Sequence, residues 1–94
     1  MRYEVRSKVY QSVKKDLKLT KKQGKDTDKL FEIIEKLANG EMLEEKYRDH
    51  DLTGEYKGCR ECHVEPDWLL IYEVMEDVIV LLLYRVGSHS KLFR

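Results

Sequence analysis

The sequence predicts an α+β fold: a two-helix antiparallel hairpin packed on an antiparallel sheet, with a short N-terminal strand joining that sheet. Three observations carry this expectation. Apolar residues recur at helical spacing up to Ala38. From Tyr56 onward the pattern is extended. The links within that second half are too short for crossover helices, so neighbouring strands should run antiparallel. Ninety-four residues suit one domain around one core, and residues 1–94 are read as a single domain.

Each element has its own signal. Arg2-Tyr3-Glu4-Val5 reads as the first strand. Ser7 is placed to cap a helix from Lys8 to about Lys22, with Tyr10, Val13 and Leu17 as its apolar stripe and lysines over the rest. Gly24 suits the left-handed position after that helix. Asp26 can cap a second helix, Thr27 to Ala38, in which Leu30, Ile33, Ile34, Leu37 and Ala38 fall on one face. Asn39-Gly40 ends it. Residues 41–55 are acidic and irregular, with a turn at Thr53-Gly54. Strands are expected at 56–64, 69–74 and 78–86, separated by Pro66-Asp67 and Glu76-Asp77. Val78 to Tyr84 is apolar at both parities, which suits a central strand covered on both faces.

Composition narrows the setting. No apolar run is long enough to span a membrane, and Met1-Arg2-Tyr3-Glu4 does not open a signal peptide. A cytoplasmic protein with reduced cysteines and no membrane partner is expected. The net charge is zero, yet residues 1–25 hold nine lysines and arginines against two acids, whereas residues 26–83 hold six against sixteen. One side of the molecule is therefore suited to a polyanion.

The chemistry-bearing residues concentrate between Tyr56 and Trp68. Cys59-Arg60-Glu61-Cys62-His63 matches the C-x-x-C-H pattern of covalent haem attachment, and Cys59, Cys62 and His63 with His50 or His89 are conceivable zinc ligands. Strand alternation weakens both readings, because residues three apart point to opposite faces. It sets Cys59, Glu61 and His63 on one face and Arg60 and Cys62 on the other. The thiols are read as small buried hydrophobes, and no metal or cofactor is expected. Trp68 reads first as core. Phe93, close to the chain end, needs something to hold it. Arg85 lies in an apolar strand and needs either a partner or an opening onto a site or solvent.

Four separated motifs together resemble the RelE/ParE superfamily of bacterial toxins, and within it the YafQ-type messenger-RNA interferases. They are the lysine-rich first helix with Asp49-His50-Asp51-Leu52-x-Gly54; Lys57-Gly58-x-Arg60-Glu61-x-His63; Pro66-Asp67-Trp68-x-Leu70-x-Tyr72; and Arg85-x-Gly87-Ser88-His89-x-x-Leu92-Phe93. The resemblance implies a RelE-like fold and a toxin of a type II toxin–antitoxin system. It further implies a metal-independent endoribonuclease that cuts messenger RNA in the ribosomal A site, a cognate antitoxin of the RelB or DinJ kind, and operator DNA binding only by the toxin–antitoxin complex. The alternative within the superfamily is a ParE-like toxin that binds DNA gyrase without cleaving nucleic acid. By the same likeness His50, His63, Asp67 and His89 are the expected catalytic residues, and Trp68, Arg85 and Phe93 support substrate binding. Lys14, Lys15 and Lys18 are expected to meet ribosomal RNA phosphates, with Lys8, Lys21 and Lys22 alongside.

Such a site needs a group to take the 2′-hydroxyl proton and another to protonate the departing 5′-oxygen. Imidazole, with an unperturbed pKa near 6.5, performs either task. His50 and His89 are the expected acid–base pair, with His63 and Asp67 orienting the phosphate or an imidazole. Arg85 would offset the charge on the phosphorane oxygens. Trp68 or Phe93 would stack an unpaired base.

Overall fold

The fold, a computed structural model that describes residues 2–93, builds one five-stranded sheet with two helices on one face. In chain order the elements are β1 (Glu4–Ser7), α1 (Tyr10–Lys22), α2 (Thr27–Ala38), β2 (His50–Asp51), β3 (Arg60–Glu65), β4 (Trp68–Met75), β5 (Val80–Gly87) and α3 (His89–Leu92). Single 3-10 turns cover Glu45–Tyr47 and Gly54–Tyr56. The sheet order is β1-β5-β4-β3-β2, with β5 interior as its two-sided apolar pattern requires. Contacts between β2, β3, β4 and β5 are antiparallel, whereas β1 runs parallel to β5. Everything between those two strands forms their connection, which is long enough for a parallel return.

Several boundaries differ from the sequence expectations. Ser7 does not cap α1. It is the last residue of β1, paired with Leu83, and the cap position is Val9 without a side-chain hydrogen bond. The segment from Tyr56 enters a 3-10 turn before β3 starts at Arg60. His50–Asp51, in the acidic stretch read as irregular, forms a strand too short to leave a periodic signal.

The two long helices end alike. After α1 the Lys25 N–H bonds the Thr20 carbonyl and Gly24 N–H bonds that of Lys21; after α2 Glu41 and Gly40 repeat the arrangement onto Lys36 and Leu37. Gly24 and Gly40 take the positive φ this closure needs, 76° and 75°. Asp26 caps α2 by accepting the Asp28 N–H at 3.1 Å. Leu30, Ile33, Ile34, Leu37 and Ala38 of α2 are all buried, each large side chain contributing about 1.5–3 kcal/mol.

The sheet separates two apolar clusters. Cys62, Val64, Leu70, Tyr72, Leu81, Leu83 and Val86 face the helices. Cys59, Leu69, Ile71 and Leu92 face the other way, joined by the partly buried Leu52, Tyr56, Tyr84 and Phe93. Among the described residues, α3 and a few loop side chains cover that second face; His50 and His63 meet there, and α3 carries His89. Among the described residues no helix is long and apolar enough to cross a membrane.

Candidate active site

His50 reaches its place through a parity device. Asp49 and Asp51, on either side of it, both bind Arg60 of the neighbouring strand, at 3.2 and 2.6 Å. Asp49 also accepts the Tyr72 hydroxyl at 2.6 Å. Those three contacts fix the odd-numbered residues of the segment on the helix side, so His50 between them must point to the other face. There it lies opposite Glu61 in the register, and Glu61 shares its face with His63.

The result is a carboxylate between two imidazoles. Glu61 Oε2 is 3.1 Å from His50 Nε2 and 3.8 Å from His63 Nε2, and the ring centroids are 6.2 Å apart. Each ring is anchored from behind. His50 Nδ1 lies 2.6 Å from the Arg48 carbonyl and His63 Nδ1 3.0 Å from that of Pro66. A carbonyl only accepts, so each Nδ1 carries a hydrogen and each Nε2 faces Glu61. Arg48 offers its carbonyl from a left-handed backbone, φ 51°. Glu61 is only 5% exposed, and its Oε1 is buried with no hydrogen-bond partner. An unpartnered buried carboxylate oxygen is costly, and such atoms concentrate where a substrate or ion will complete the bonding.

The C-terminal turn carries the third imidazole and is tied to the His63 turn through its backbone. Ser88 caps α3 by accepting the Lys91 N–H at 3.3 Å, and Asp67, in the turn after His63, accepts the His89 backbone N–H at 3.0 Å. Asp67 thus ties α3 to the same turn whose Pro66 carbonyl holds His63. The His89 ring stacks on Phe93 with centroids 4.8 Å apart, and Phe93 meets Tyr56 edge-on at 5.6 Å. These contacts hold the chain end that the sequence left unexplained.

Arg85 belongs to this face because β5 bulges. Tyr84 is the extra residue between the pairs Ile71↔Arg85 and Tyr72↔Leu83, which breaks the alternation beyond it. The guanidinium bonds both Asp16 oxygens, at 2.8 and 3.1 Å, and also faces Tyr56. Asp16 accepts the Val86 N–H at 2.9 Å as well, completing the edge of β5 where β1 has ended. Arg85 is therefore paired, not simply open to solvent. Burial would raise the Asp16 pKa, but bonds from Arg85 and Val86 and the charges of Arg85 and Lys91 outweigh it and hold the carboxyl below its ordinary range.

Other expected site residues lie elsewhere. Trp68 begins β4 at the parity of Leu70 and Tyr72, so its ring points into the helix-side core at 1% exposure and offers no face to a base. Lys14 and Lys18 rim a groove of about 320 Å³ between the two long helices, with Phe31 at its wall. Lys15 is exposed on the same helix, α1. These lysines are on the helix side of the sheet, away from the imidazoles.

Sequence reasoning placed Glu61 beside His63 but left it out of the expected site, and it did not single out Asp16. Asp16 lay in view on the apolar stripe of α1, between Val13 and Thr20, which are also buried. Burial raises the pKa of both thiols, and Cys59 and Cys62 lie in opposite clusters, so they form neither a redox pair nor a shared ligand set.

Known proteins share this sequence pattern and this fold. The family described as bacterial toxin of type II toxin–antitoxin system, YafQ, matches residues 5–94. The mRNA interferase toxin YafQ of Escherichia coli K12 is 44% identical over 80 residues, covering 84% of this chain and 85% of its own. A metal-bound toxin from Helicobacter pylori superimposes with a TM-score of 0.88 at 40% identity, over 97% of this chain and 99% of that one. In the E. coli DinJ–YafQ toxin–antitoxin complex a chain matches with a TM-score of 0.87 at 37% identity, over 100% of both. The α+β expectation agrees with these structures, and the expected endoribonuclease class agrees with the name mRNA interferase that the curated relative carries. This chain belongs to the YafQ family of bacterial toxins of type II toxin–antitoxin systems.

Proposed function

We propose that this toxin is an endoribonuclease that cleaves messenger RNA on the ribosome by acid–base chemistry at the 2′-hydroxyl, restrained by a DinJ-like antitoxin. Operator DNA is bound only by the toxin–antitoxin complex. The observation that carries the reading is Glu61: a buried carboxylate with one oxygen engaged by two imidazoles and the other unpartnered. A protein that only binds gyrase has no use for that arrangement.

The roles follow from the contacts. The Glu61 carboxylate takes the proton of the 2′-hydroxyl, whose oxygen attacks the adjacent phosphorus. His89 gives a proton to the departing 5′-oxygen, leaving a 2′,3′-cyclic phosphate and a 5′-hydroxyl. His50 and His63 hold Oε2 and fix the carboxylate in place, so that Glu61, outside the expected His50–His89 pair, is the base and His89 the acid. Asp67 positions His89 through the backbone of α3. Arg85 faces the charge that develops on the phosphorane, and Phe93, already stacked on His89, offers its free face to a base. Exposed Lys15, with Lys14 and Lys18, meets ribosomal RNA.

The test is cleavage of message by purified toxin in a reconstituted translation mixture, read by primer extension. Glu61→Gln and His89→Gln should fold as the wild type and each lower the cleavage rate by about 10²–10⁴-fold. Wild-type rates in both folded variants would discard the assignment.

A further inference from the structure

β2 reaches only Arg60 and Glu61 of β3, so the rest of β3 has no strand along its outer edge. The 3-10 turn Glu45–Tyr47 packs there instead. Between that turn, the start of α2 and the end of β3 lies a pocket of about 210 Å³. Its cations come from separate parts of the chain: Lys29 from α2, Lys46 from the turn, and Arg48 just after it at φ 51°. His63 lines the same pocket. We infer that it holds the RNA backbone phosphate next to the scissile linkage, a subsite that rests on the ribonuclease reading above.

The charge lining the pocket is unbalanced. Its one acid, Glu65, is already shared by Lys25 and Lys29 at 3.7 and 4.0 Å. Lys46 meets Glu44 at 3.8 Å, an exposed pair too weak to occupy the ammonium. Among the described residues Arg48 makes no ion pair, whereas the neighbouring Asp49 is taken by Arg60. Cations gathered without enough counter-charge draw an anion to the spot. Two ammoniums and a guanidinium offer donors alone, which suits the acceptor oxygens of a phosphate.

Size and position choose the occupant. The volume falls below the roughly 300 Å³ at which small-molecule sites begin, so a phosphate group fits and a whole nucleotide does not. The Tyr47 ring is no platform for a base, since the Lys46 ammonium lies over it, 5.2 Å from the centroid. The link to the catalytic residues is direct. Arg48 and Pro66, whose carbonyls anchor His50 and His63, both line the pocket, and His63 belongs to the pocket and to the Glu61 cluster alike. An RNA strand whose reacting linkage lies at Glu61 therefore carries its neighbouring phosphate past His63 to the three cations. Phosphate contacts set the register of a nucleic acid without reading its bases. Lys29, Lys46 and Arg48 are thus positioning residues that fix which 2′-hydroxyl meets Glu61.

Fluorescence anisotropy of the purified chain with a single-stranded RNA, 2′-O-methylated throughout, reads binding without cleavage. In the triple variant Lys29→Gln, Lys46→Gln, Arg48→Gln the affinity should fall about ten-fold, as for a lost hydrogen bond to a charged group. Its plot of log affinity against log salt should become shallower by about 0.7 for each phosphate contact removed. Lys36→Gln, on α2 but outside the pocket, should change neither. Messages with one neutral methylphosphonate on either side of the mapped cut then locate the phosphate on the ribosome. One of the two should slow wild-type cleavage about ten-fold and slow the triple variant no further. Unchanged affinity or salt slope, no penalty from either neutral linkage in the wild type, equal penalties in both chains, or polyglutamate bound more tightly than RNA would overturn the proposal. A chain that binds RNA as described but cuts none counts against the ribonuclease alone.

Discussion

Asp16 is the side chain on which the Arg85 guanidinium depends. It is buried to 2% exposure and receives Arg85, the Val86 N–H and Lys91. Asp16→Ala leaves Arg85 without its partner, and because that guanidinium is partly solvated the cost should sit near the lower end for broken buried pairs, about 3 kcal/mol in denaturant unfolding. The lowered carboxyl pKa sets the sign of the pH effect. Its contribution is complete above the ordinary carboxylate value of about 3.9 and is lost as pH falls through the lower folded value. Below about pH 4 the wild type should lose stability faster than Asp16→Asn; parallel curves would contradict the account. The thiols give a second residue-scale expectation. Buried and shifted upward, Cys59 and Cys62 should resist alkylation until denaturant is added, and rapid labelling of native protein would count against their placement.

Short elements decide this site, and they were the least legible in the sequence. The helices could be read because twelve to thirteen residues repeat a 3.6-residue period, and the last three strands because apolar residues run on between turn signals. β2, two residues long, has no period to detect, although it alone carries His50 to Glu61. Its place depends on Arg60 holding Asp49 and Asp51, 11 and 9 residues away, contacts that neither helical nor strand periodicity encodes. Arg60→Gln should lower stability only modestly, because Arg60 is itself partly exposed, Asp51 is largely exposed, and Asp49 keeps its bond from the Tyr72 hydroxyl. The same change should reduce cleavage and speed amide exchange at His50. A substitution that leaves both unchanged would remove the clamp from the account. The bulge in β5 was equally hidden: strict alternation misplaces Arg85, and one extra residue, Tyr84, returns it to the site face. Trp68 is core, as its residue type first suggested; the substrate role that the resemblance implied for it fails because it opens β4 at the inward parity of Leu70 and Tyr72.

Across the whole molecule, charge and chemistry occupy different sides. The imidazoles and Glu61 sit on the thinly covered face, while Lys14 and Lys18 stand over the helix-side groove. A ribosome meeting this chain would contact both. Replacing Lys14, Lys15 and Lys18 together by alanine should weaken ribosome binding and flatten its dependence on salt, since each phosphate contact contributes to the slope. Binding to the same tightness with the same salt slope would place the polyanion surface elsewhere. The charge asymmetry of the first 25 residues was visible in the sequence, but the face it occupies required the fold. The central claim is chemical: Glu61 and His89 cut RNA through its own 2′-hydroxyl. Mass spectrometry of the RNA ends left by the toxin in excess chelator tests it most directly. The account predicts 2′,3′-cyclic phosphate and 5′-hydroxyl ends; 5′-phosphate ends, or no cleavage until Mg²⁺ is added, would contradict it.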